Sequence, residues 1–468
     1  MWLKYALSFS AIILGVLATY IYIFSKKEAY RFFYPALVLF VFFSLVPISY
    51  SVYVSFTNLK TGHLLTRDAV LELLKSETVI ESNSLILNSK FIKYPDHYLL
   101  IVDNLGAQFR DKDSVTELGP LALIPPGGKE LLPYEIYEII KKNSTLEIIH
   151  PGLGTYHFLR TDALAKTKPR FIDNSDGTLK DTLTRENLVE DKDNGLFKLE
   201  GEQVGPGYYT NVGFSNYKEL FLNPEVKFVF FKSFFWTFSW AFFSVALTFI
   251  VGSFLAVTLN EMGDKSKLIY RMLFIIPYSI PFFISVLLFK GMLNKDFGEI
   301  NHWLSFFKIS PIPWLEHKMW AKVSVLLVNL WLGFPYMLLV ITGILQSIPK
   351  SLYEASSLEG ASRLQNFRFL TFPIMFKAMI PLLIGSFAFN LNNFVGIYLL
   401  TGGGPVISEA STPLGETDIL ISYTYRLAFE GSQGQNFALA AAVSMLIFIL
   451  VVALTFLNFK ISKKVSEG

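Results

Sequence analysis

The sequence has 468 residues, 52% of them hydrophobic and only 17% charged, with a formal net charge of +3. A soluble domain carries roughly 25% charge, and the mean hydropathy here is +0.43, so an ordinary soluble protein is excluded. The absence of cysteine also excludes disulfides, thiol nucleophiles and cysteine-based metal sites.

A spanning helix needs about 20 predominantly apolar residues. Seven segments meet that length, at 3–24, 32–56, 228–259, 270–293, 320–345, 373–400 and 437–459. Lipid offers the backbone no hydrogen bonds, so such runs are read as helices. Pro47, Gly252, Pro277, Pro281, Gly333, Pro335 and Pro381 interrupt them, as packing kinks or as breaks lining a cavity. The first segment is too long and evenly apolar for a cleaved signal peptide, and Ser25-Lys26-Lys27 reads as a cytoplasmic stop.

The charge is unevenly placed. Segment 57–227 holds 20 of the 41 Lys and Arg and 25 of the 38 Asp and Glu, a net of −5, which leaves +8 elsewhere. The basic loops are 25–31, 260–271, 346–377 and the tail after 459. Counted across seven spans they fall on one side, and the excess of Lys and Arg marks that side as the cytoplasm. The insert at 57–227 then faces outward, with loops 294–319 and 401–436 and the N-terminus.

The insert alternates short apolar runs, such as Tyr98-Leu-Leu-Ile-Val102, with turn signals such as Pro125-Pro-Gly-Gly128. This predicts a β-rich domain with helices near 66–78 and 131–142. Its length suffices for an independent core. Recognition of a soluble partner, a lid, and a purely stabilising element all fit its acidic composition. The domain reading is therefore a transmembrane hairpin at 1–56, an extracytoplasmic domain at 57–227 and a helical core at 228–468. The fold class is an all-α polytopic membrane bundle with an inserted β-rich domain.

Catalytic signals are missing. The histidines at 63, 97, 150, 157, 302 and 317 fall in outer loops or the insert without metal-ligand spacing. There is no phosphate-binding G-x-x-x-x-G-K-[ST] motif and no G-x-S-x-G elbow. No enzyme activity, metal or cofactor is expected. Few charges lie inside the spans, and Lys232 and Lys290 sit near span ends, where long side chains snorkel to the interface. A proton relay has little to work with.

The stretch from Ile348 to Pro373 reads as two short helices between spans. Ser351 and Glu354 have capping-box spacing, Gly360 suits a left-handed stop, and Pro373 suits the first turn of the next helix. Glu354-Ala355-Ser356, Gly360-Ala361, Phe367 and Pro373 resemble the EAA loop of ABC-importer permeases, with Ser356 in place of an alanine and Glu359 where Asp is usual. Asn329-Leu-Trp-Leu-Gly-Phe-Pro-Tyr336, Ser386-Phe-Ala-Phe-Asn-Leu-Asn-Asn-Phe394, Leu399-Leu-Thr-Gly-Gly-Gly-Pro405 and Tyr423-Thr-Tyr-Arg-Leu-Ala-Phe-Glu-Gly431 are similar to MalF-type permeases of maltose/maltodextrin importers. The likeness covers roughly 228–460 and 30–60. That family has eight spans where seven are read here.

The resemblance implies a non-catalytic permease of a bacterial inner membrane. Its partners would be a second, MalG-like permease subunit, two MalK-like ATPase subunits and a periplasmic sugar-binding protein. The coupling loop would dock on an ATPase, and nucleotide-driven closure would drive alternating access for maltose or maltodextrin.

Asn329, Gly333 and Tyr336 share one helix face, as do Ser386, Phe389/Asn390 and Asn393. Amides inside hydrocarbon face protein or water, so they serve either as interhelical glue or as partners for sugar hydroxyls. The resemblance implies that Asn329, Leu332, Gly333, Tyr336, Ser386, Phe389, Asn390 and Asn393 contact sugar. The rivals are a permease for another oligosaccharide or polyol, an ion-driven secondary transporter, and an anchored receptor. A phosphorylated substrate would call for Arg or Lys on these faces, and they carry none.

Overall fold

The computed structural model describes residues 2–24, 28–103, 105–110, 115–121, 124–142, 146–174, 178–408, 414–431 and 434–467. The expected stop at Ser25-Lys26-Lys27 lies outside them. The chain forms two compact units, Leu64–Tyr208 and the remainder, Met1–His63 with Tyr209–Gly468.

The helical unit begins with α1 (Trp2–Thr19), α2 (Glu28–Phe40) and α3 (Val46–Ser55), with π turns at Tyr20–Phe24 and Val41–Leu45. The Tyr34 hydroxyl donates to the Leu14 carbonyl at 2.8 Å and ties α2 to α1. Glu28–Ser55 is apolar and long enough to cross a membrane, whereas the apolar stretch Leu7–Ile23 is shorter.

The Leu64–Tyr208 unit carries α4 (Arg67–Ser76) and α5 (Pro133–Lys142), where the sequence predicts helices. Thr66 caps α4 by accepting from the Ala69 amide. Its main sheet runs Val115–Glu117, Glu147–His150, Gly154–Arg160, Ala163–Ala165, Leu87–Lys93, Tyr98–Val102, Leu105–Phe109 and Gly119–Pro120. Pairing is antiparallel except between the first two strands. Along Leu87–Lys93 burial alternates, as a strand with one face on a core requires. Phe91, Leu100, Val102, Phe109, Ile148 and Leu164 fill that core with Ile136 and Ile139 of α5. A second core joins Val70 and Leu74 of α4 to Phe197, Leu199 and Tyr208.

A polar tie closes the second core. Arg67 makes a two-point contact with Glu190, and Tyr208 donates to the same carboxylate at 2.8 Å. The bond from Arg67, aided by Tyr208, holds the Glu190 carboxyl below its ordinary value against the upward push of partial burial.

The helical unit resumes with α6 (Ser215–Leu222), α7 (Pro224–Asn260), α8 (Asp264–Ser279), α9 (Phe282–Met292), α10 (Glu299–Phe306) and α11 (Lys318–Ser347). It continues through α12 (Lys350–Leu358), α13 (Arg363–Asn366), a π turn at Phe367–Thr371, α14 (Phe372–Leu391), α15 (Phe394–Thr401), α16 (Leu420–Phe429) and α17 (Phe437–Glu467). The Asn216 side chain is buried and donates to the Ser55 and Thr57 carbonyls, both at 2.8 Å. It thereby satisfies acceptors that the end of α3 leaves free. Asn223 caps α7, with Pro224 opening it.

Pro224–Asn260, Lys318–Ser347, Arg363–Leu391 and Phe437–Lys464 are also long and apolar enough to cross a membrane. Two expected spans take a different form. Segment 270–293 is the pair α8 and α9, bent by 89°. Ile280 stands before Pro281 and takes an extended ψ of 133°, the conformation a following proline favours. Segment 373–400 stops at Leu391, because Asn392 leaves the helix and Asn393 caps a new one, accepting from the Gly396 amide.

α7 and α11 pack closely. α7 turns Thr237, Ala241, Ser244, Thr248, Gly252 and Ala256 inward at three- and four-residue steps, and small residues let helix backbones approach. A Cβ at Gly252 would lie 2.7 Å from Met337 Cβ and 3.0 Å from the Leu338 amide nitrogen.

The Glu190 tie has a pH signature. A depressed carboxyl contributes stability above its unfolded pKa and loses it as pH falls through the folded value. Glu190→Gln is expected to lower hydrogen-exchange protection of Arg67–Ser76 relative to the parent at pH 7. That difference closes below the carboxylate range, measured in the full chain with intrinsic exchange rates matched.

Candidate functional site

The polar residues that the sequence singles out in the spans meet where α14 breaks. Asn390 Nδ2 donates to the Ser386 carbonyl at 2.9 Å, and Asn390 Oδ1 accepts from Asn329 Nδ2 at 3.4 Å. Asn329 Oδ1 accepts from Asn393 Nδ2 at 3.4 Å, and Asn393 Oδ1 caps α15. From α7, Trp240 Nε1 donates to the Asn390 carbonyl at 3.0 Å. This junction joins α7, α11, α14 and α15. Asn390 and Asn393 are 8% and 7% exposed. Helix ends leave donors and acceptors unpaired, and these amides supply partners at apolar depth.

The remaining residues of the set differ in setting. Leu332 is buried with Trp240, Val286 and Ile397. Gly333 faces α7, where a Cβ would stand 2.8 Å from Thr248 Cγ2. Tyr336 is partly exposed, and Phe389 is 70% exposed despite its size. Ser386 enters the junction through its carbonyl. Trp240 is a member that the sequence reading missed. Its spacing on α7 is that of any buried aromatic, and only the fold brings its indole to Asn390.

Beyond α15 the chain is fastened by charge. Glu416 contacts Lys232 of α7 at 2.9 Å and Lys322 of α11 at 3.0 Å. Burial opposes ionisation of Glu416, but the hydrogen bonds from both lysines prevail and its carboxyl titrates below the ordinary value. Asp418 is fully buried and pairs with Arg426 of α16 at 2.9 Å. It also accepts from Ser422 and from the Gly415 amide. Burial pushes the Asp418 carboxyl up, and Arg426 opposes it. Arg426 also donates to the Gly402 carbonyl.

The 348–373 segment forms a compact protrusion. α12 starts at Lys350 after Pro349, so Ser351 is already helical and the expected Ser351/Glu354 box does not form. The capping box is Ser362 with Gln365, at the start of α13. Between them Gly360 takes φ +79°. Ala361 N bonds the Ser356 carbonyl and Gly360 N the Ser357 carbonyl, the two crossed bonds of a Schellman stop. Pro373 lies in the first turn of α14. Glu354 and Ala355 are exposed, Ser356, Ala361 and Phe367 are half-buried, and Pro373 is exposed. Ser356 and Ser357 both donate to the Tyr353 carbonyl. The sequence reading also missed Leu358 and Leu364, which are 90% and 75% exposed.

Residues 229–466 match the family model described as "Binding-protein-dependent transport system inner membrane component". The maltose/maltodextrin transport system permease protein MalF of Vibrio vulnificus is 37% identical over 98% of this chain and 90% of its own length. The chain belongs to the MalF family of binding-protein-dependent inner-membrane permeases. MalF of Klebsiella aerogenes is 35% identical over 98% of this chain and 92% of that protein. Among solved structures, a bacterial alginate ABC transporter in complex with an alginate pentasaccharide-bound periplasmic protein matches 54% of this chain and 83% of its own, at 22% identity and a TM-score of 0.47.

Two substitutions test the packing and the buried charge. Gly252→Val forces backbone apart where α7 meets α11, whereas no atom lies within 4 Å of a Cβ at Gly343. Overpacking costs about 1–3 kcal/mol, so Gly252→Val is expected to lower the melting temperature in detergent while Gly343→Ala stays near the parent. Arg426→Gln leaves the Asp418 carboxyl buried without its cation. Breaking such a pair costs about 3–5 kcal/mol, and the same melting assay reads it.

Proposed function

We propose that this chain is the permease subunit of an ATP-driven maltose/maltodextrin importer. The observation that carries the reading is the likeness to MalF proteins, which runs along 98% of the chain, insert included. The likeness to inner-membrane permeases supports a place in a bacterial inner membrane, and on this reading the Leu64–Tyr208 unit lies in the periplasm. A second permease completes the path, two ATPase subunits hydrolyse ATP, and a periplasmic binding protein delivers sugar. The chain breaks no bond itself. Its work is differential affinity for the sugar in two conformations.

The junction at the α14 break is the proposed sugar contact. A neutral oligosaccharide presents hydroxyls that exchange with amides and C–H faces that lie on aromatic rings. The Asn329–Asn390 and Asn393–Asn329 bonds are long, at 3.4 Å, and each amide can accept or donate further bonds. Phe389 offers an exposed ring. Lys232 and Lys322 are committed to Glu416, which favours a neutral substrate over a phosphorylated one. Leu332, Gly333, Tyr336 and Ser386 complete the proposed contact set. The protrusion bearing Glu354, Ala355, Ser356, Gly360, Ala361, Phe367 and Pro373 is the proposed docking element for an ATPase subunit, with Leu358 and Leu364 adding apolar contact. ATP-driven closure moves this element, opens the sugar site outward, and hydrolysis resets it inward.

Phe389→Ala separates sugar contact from folding, because the ring is mostly exposed. Aromatic contacts contribute about 0.5–1.5 kcal/mol, so the KM for maltodextrin uptake in proteoliposomes is expected to rise about two- to tenfold. Assembly and maximal ATP turnover stay at parental levels. Parental uptake kinetics would move the sugar site elsewhere.

A further inference from the structure

α12 meets the membrane helices through Tyr353, by apolar packing and by a chain of hydroxyls. Tyr353, on its inner side, packs among Ala256, Leu345, Ile348 and Met375. Its Oη lies 3.0 Å from Thr371 Oγ1. Thr371 is 7% exposed, and its hydroxyl donates to the Asn366 carbonyl at 3.3 Å. Tyr353 is therefore the donor to Thr371.

Thr371 ends an irregular turn, and the acceptor Asn366 stands just before it. Residues Phe367–Thr371 form a π turn, closed by the Phe372 amide on the Phe367 carbonyl. A π turn holds one residue more than an α turn and sits inside helices at functional sites. Changing it to an α turn rotates everything beyond it by about 100°, the angle of one residue. Beyond it lies α14, which ends in Asn390. The Thr371 hydroxyl reaches back five residues and so supports the wide register.

The surroundings leave room for movement. A cavity of about 360 Å³ opens between the ends of α7 and α11 and this segment, lined by Asn260, Glu261, Tyr353, Arg363, Asn366 and Thr371 among others. The other tie across it, Arg363 to Glu261 at 3.3 Å, is exposed on both sides, and such pairs hold weakly. The hydroxyl chain, part-buried and anchored on the buried Thr371, is the firmer connection. Ser356 and Ser357 brace the Tyr353 backbone from the protruding side.

We propose that Tyr353 is a positioning residue that clamps the Phe367–Thr371 π turn to α12, so that displacement of the coupling loop is passed to α14 and the sugar site. This rests on the permease reading above. Without the clamp, the loop moves with its ATPase while α14 follows incompletely, and ATP is spent without sugar movement.

The test is the ratio of sugar imported to ATP hydrolysed. It uses proteoliposomes holding the complete complex with maltodextrin-loaded binding protein outside. Tyr353→Phe and Thr371→Val each remove one hydroxyl and keep the shape. Each is expected to lower the ratio about two- to tenfold, the effect of one hydrogen bond, with stimulated ATP hydrolysis within about twofold of the parent. The double variant should match the worse single one, as partners in one bond do, and Thr371→Ser should restore the ratio. A parental ratio in Tyr353→Phe overturns the proposal, including where the melting temperature falls. A parent complex whose ATP hydrolysis ignores sugar-loaded binding protein overturns the permease reading itself, and the clamp with it.

Discussion

The structure of the helical unit depends on one constraint. Backbone at apolar depth must find its hydrogen bonds within the protein. The chain breaks α14 at Asn392 and restarts at Phe394, which leaves acceptors and donors exposed on both sides of the break. Asn390, Asn393 and Trp240 bond backbone groups on the two sides of the break, and Asn329 joins the two asparagine side chains. The same groups are those a neutral sugar would seek. Glue and binding site, alternatives on the sequence, are compatible in one junction, because an amide that bonds its neighbour at 3.4 Å keeps capacity for a hydroxyl.

Around the junction the unit is closely packed where helices meet and more open at one end. α7 and α11 approach until Gly252 and Gly333 have no room for a Cβ. Beyond α15, Glu416 bridges Lys232 and Lys322, and Asp418 is buried against Arg426. At the 348–373 end an apolar cluster under Tyr353 is accompanied by an exposed ion pair, a polar cavity and the Tyr353–Thr371 bond. The proposed function uses that asymmetry: motion would enter at the proposed docking loop and reach the proposed sugar contact without being absorbed on the way.

Much of this was legible in the sequence. The positions of five of the seven expected spans follow from length and apolarity, and the left-handed Gly360, the N-terminal Pro373 and the helices of the insert follow from local chemistry. What stayed hidden depends on pairing. Hydropathy passes through Asn392 and Asn393 because Phe394–Thr401 is as apolar as what precedes it, so 373–400 reads as one span. Pro281 signals a break but not an 89° bend. Ser351 and Glu354 have the spacing of a capping box, yet Pro349 starts the helix too early for Ser351 to cap it. Trp240 and Tyr353 look like ordinary core residues until the fold places an Asn390 carbonyl and a Thr371 hydroxyl beside them.

The most direct test of the account is uptake of labelled maltodextrin into proteoliposomes holding the purified complex. Binding protein is supplied outside, ATP inside, and ionophores are added to collapse ion gradients. Accumulation is expected to require both ATP and sugar-loaded binding protein and to be unaffected by the ionophores. Accumulation that persists without ATP and disappears with the ion gradient would contradict it.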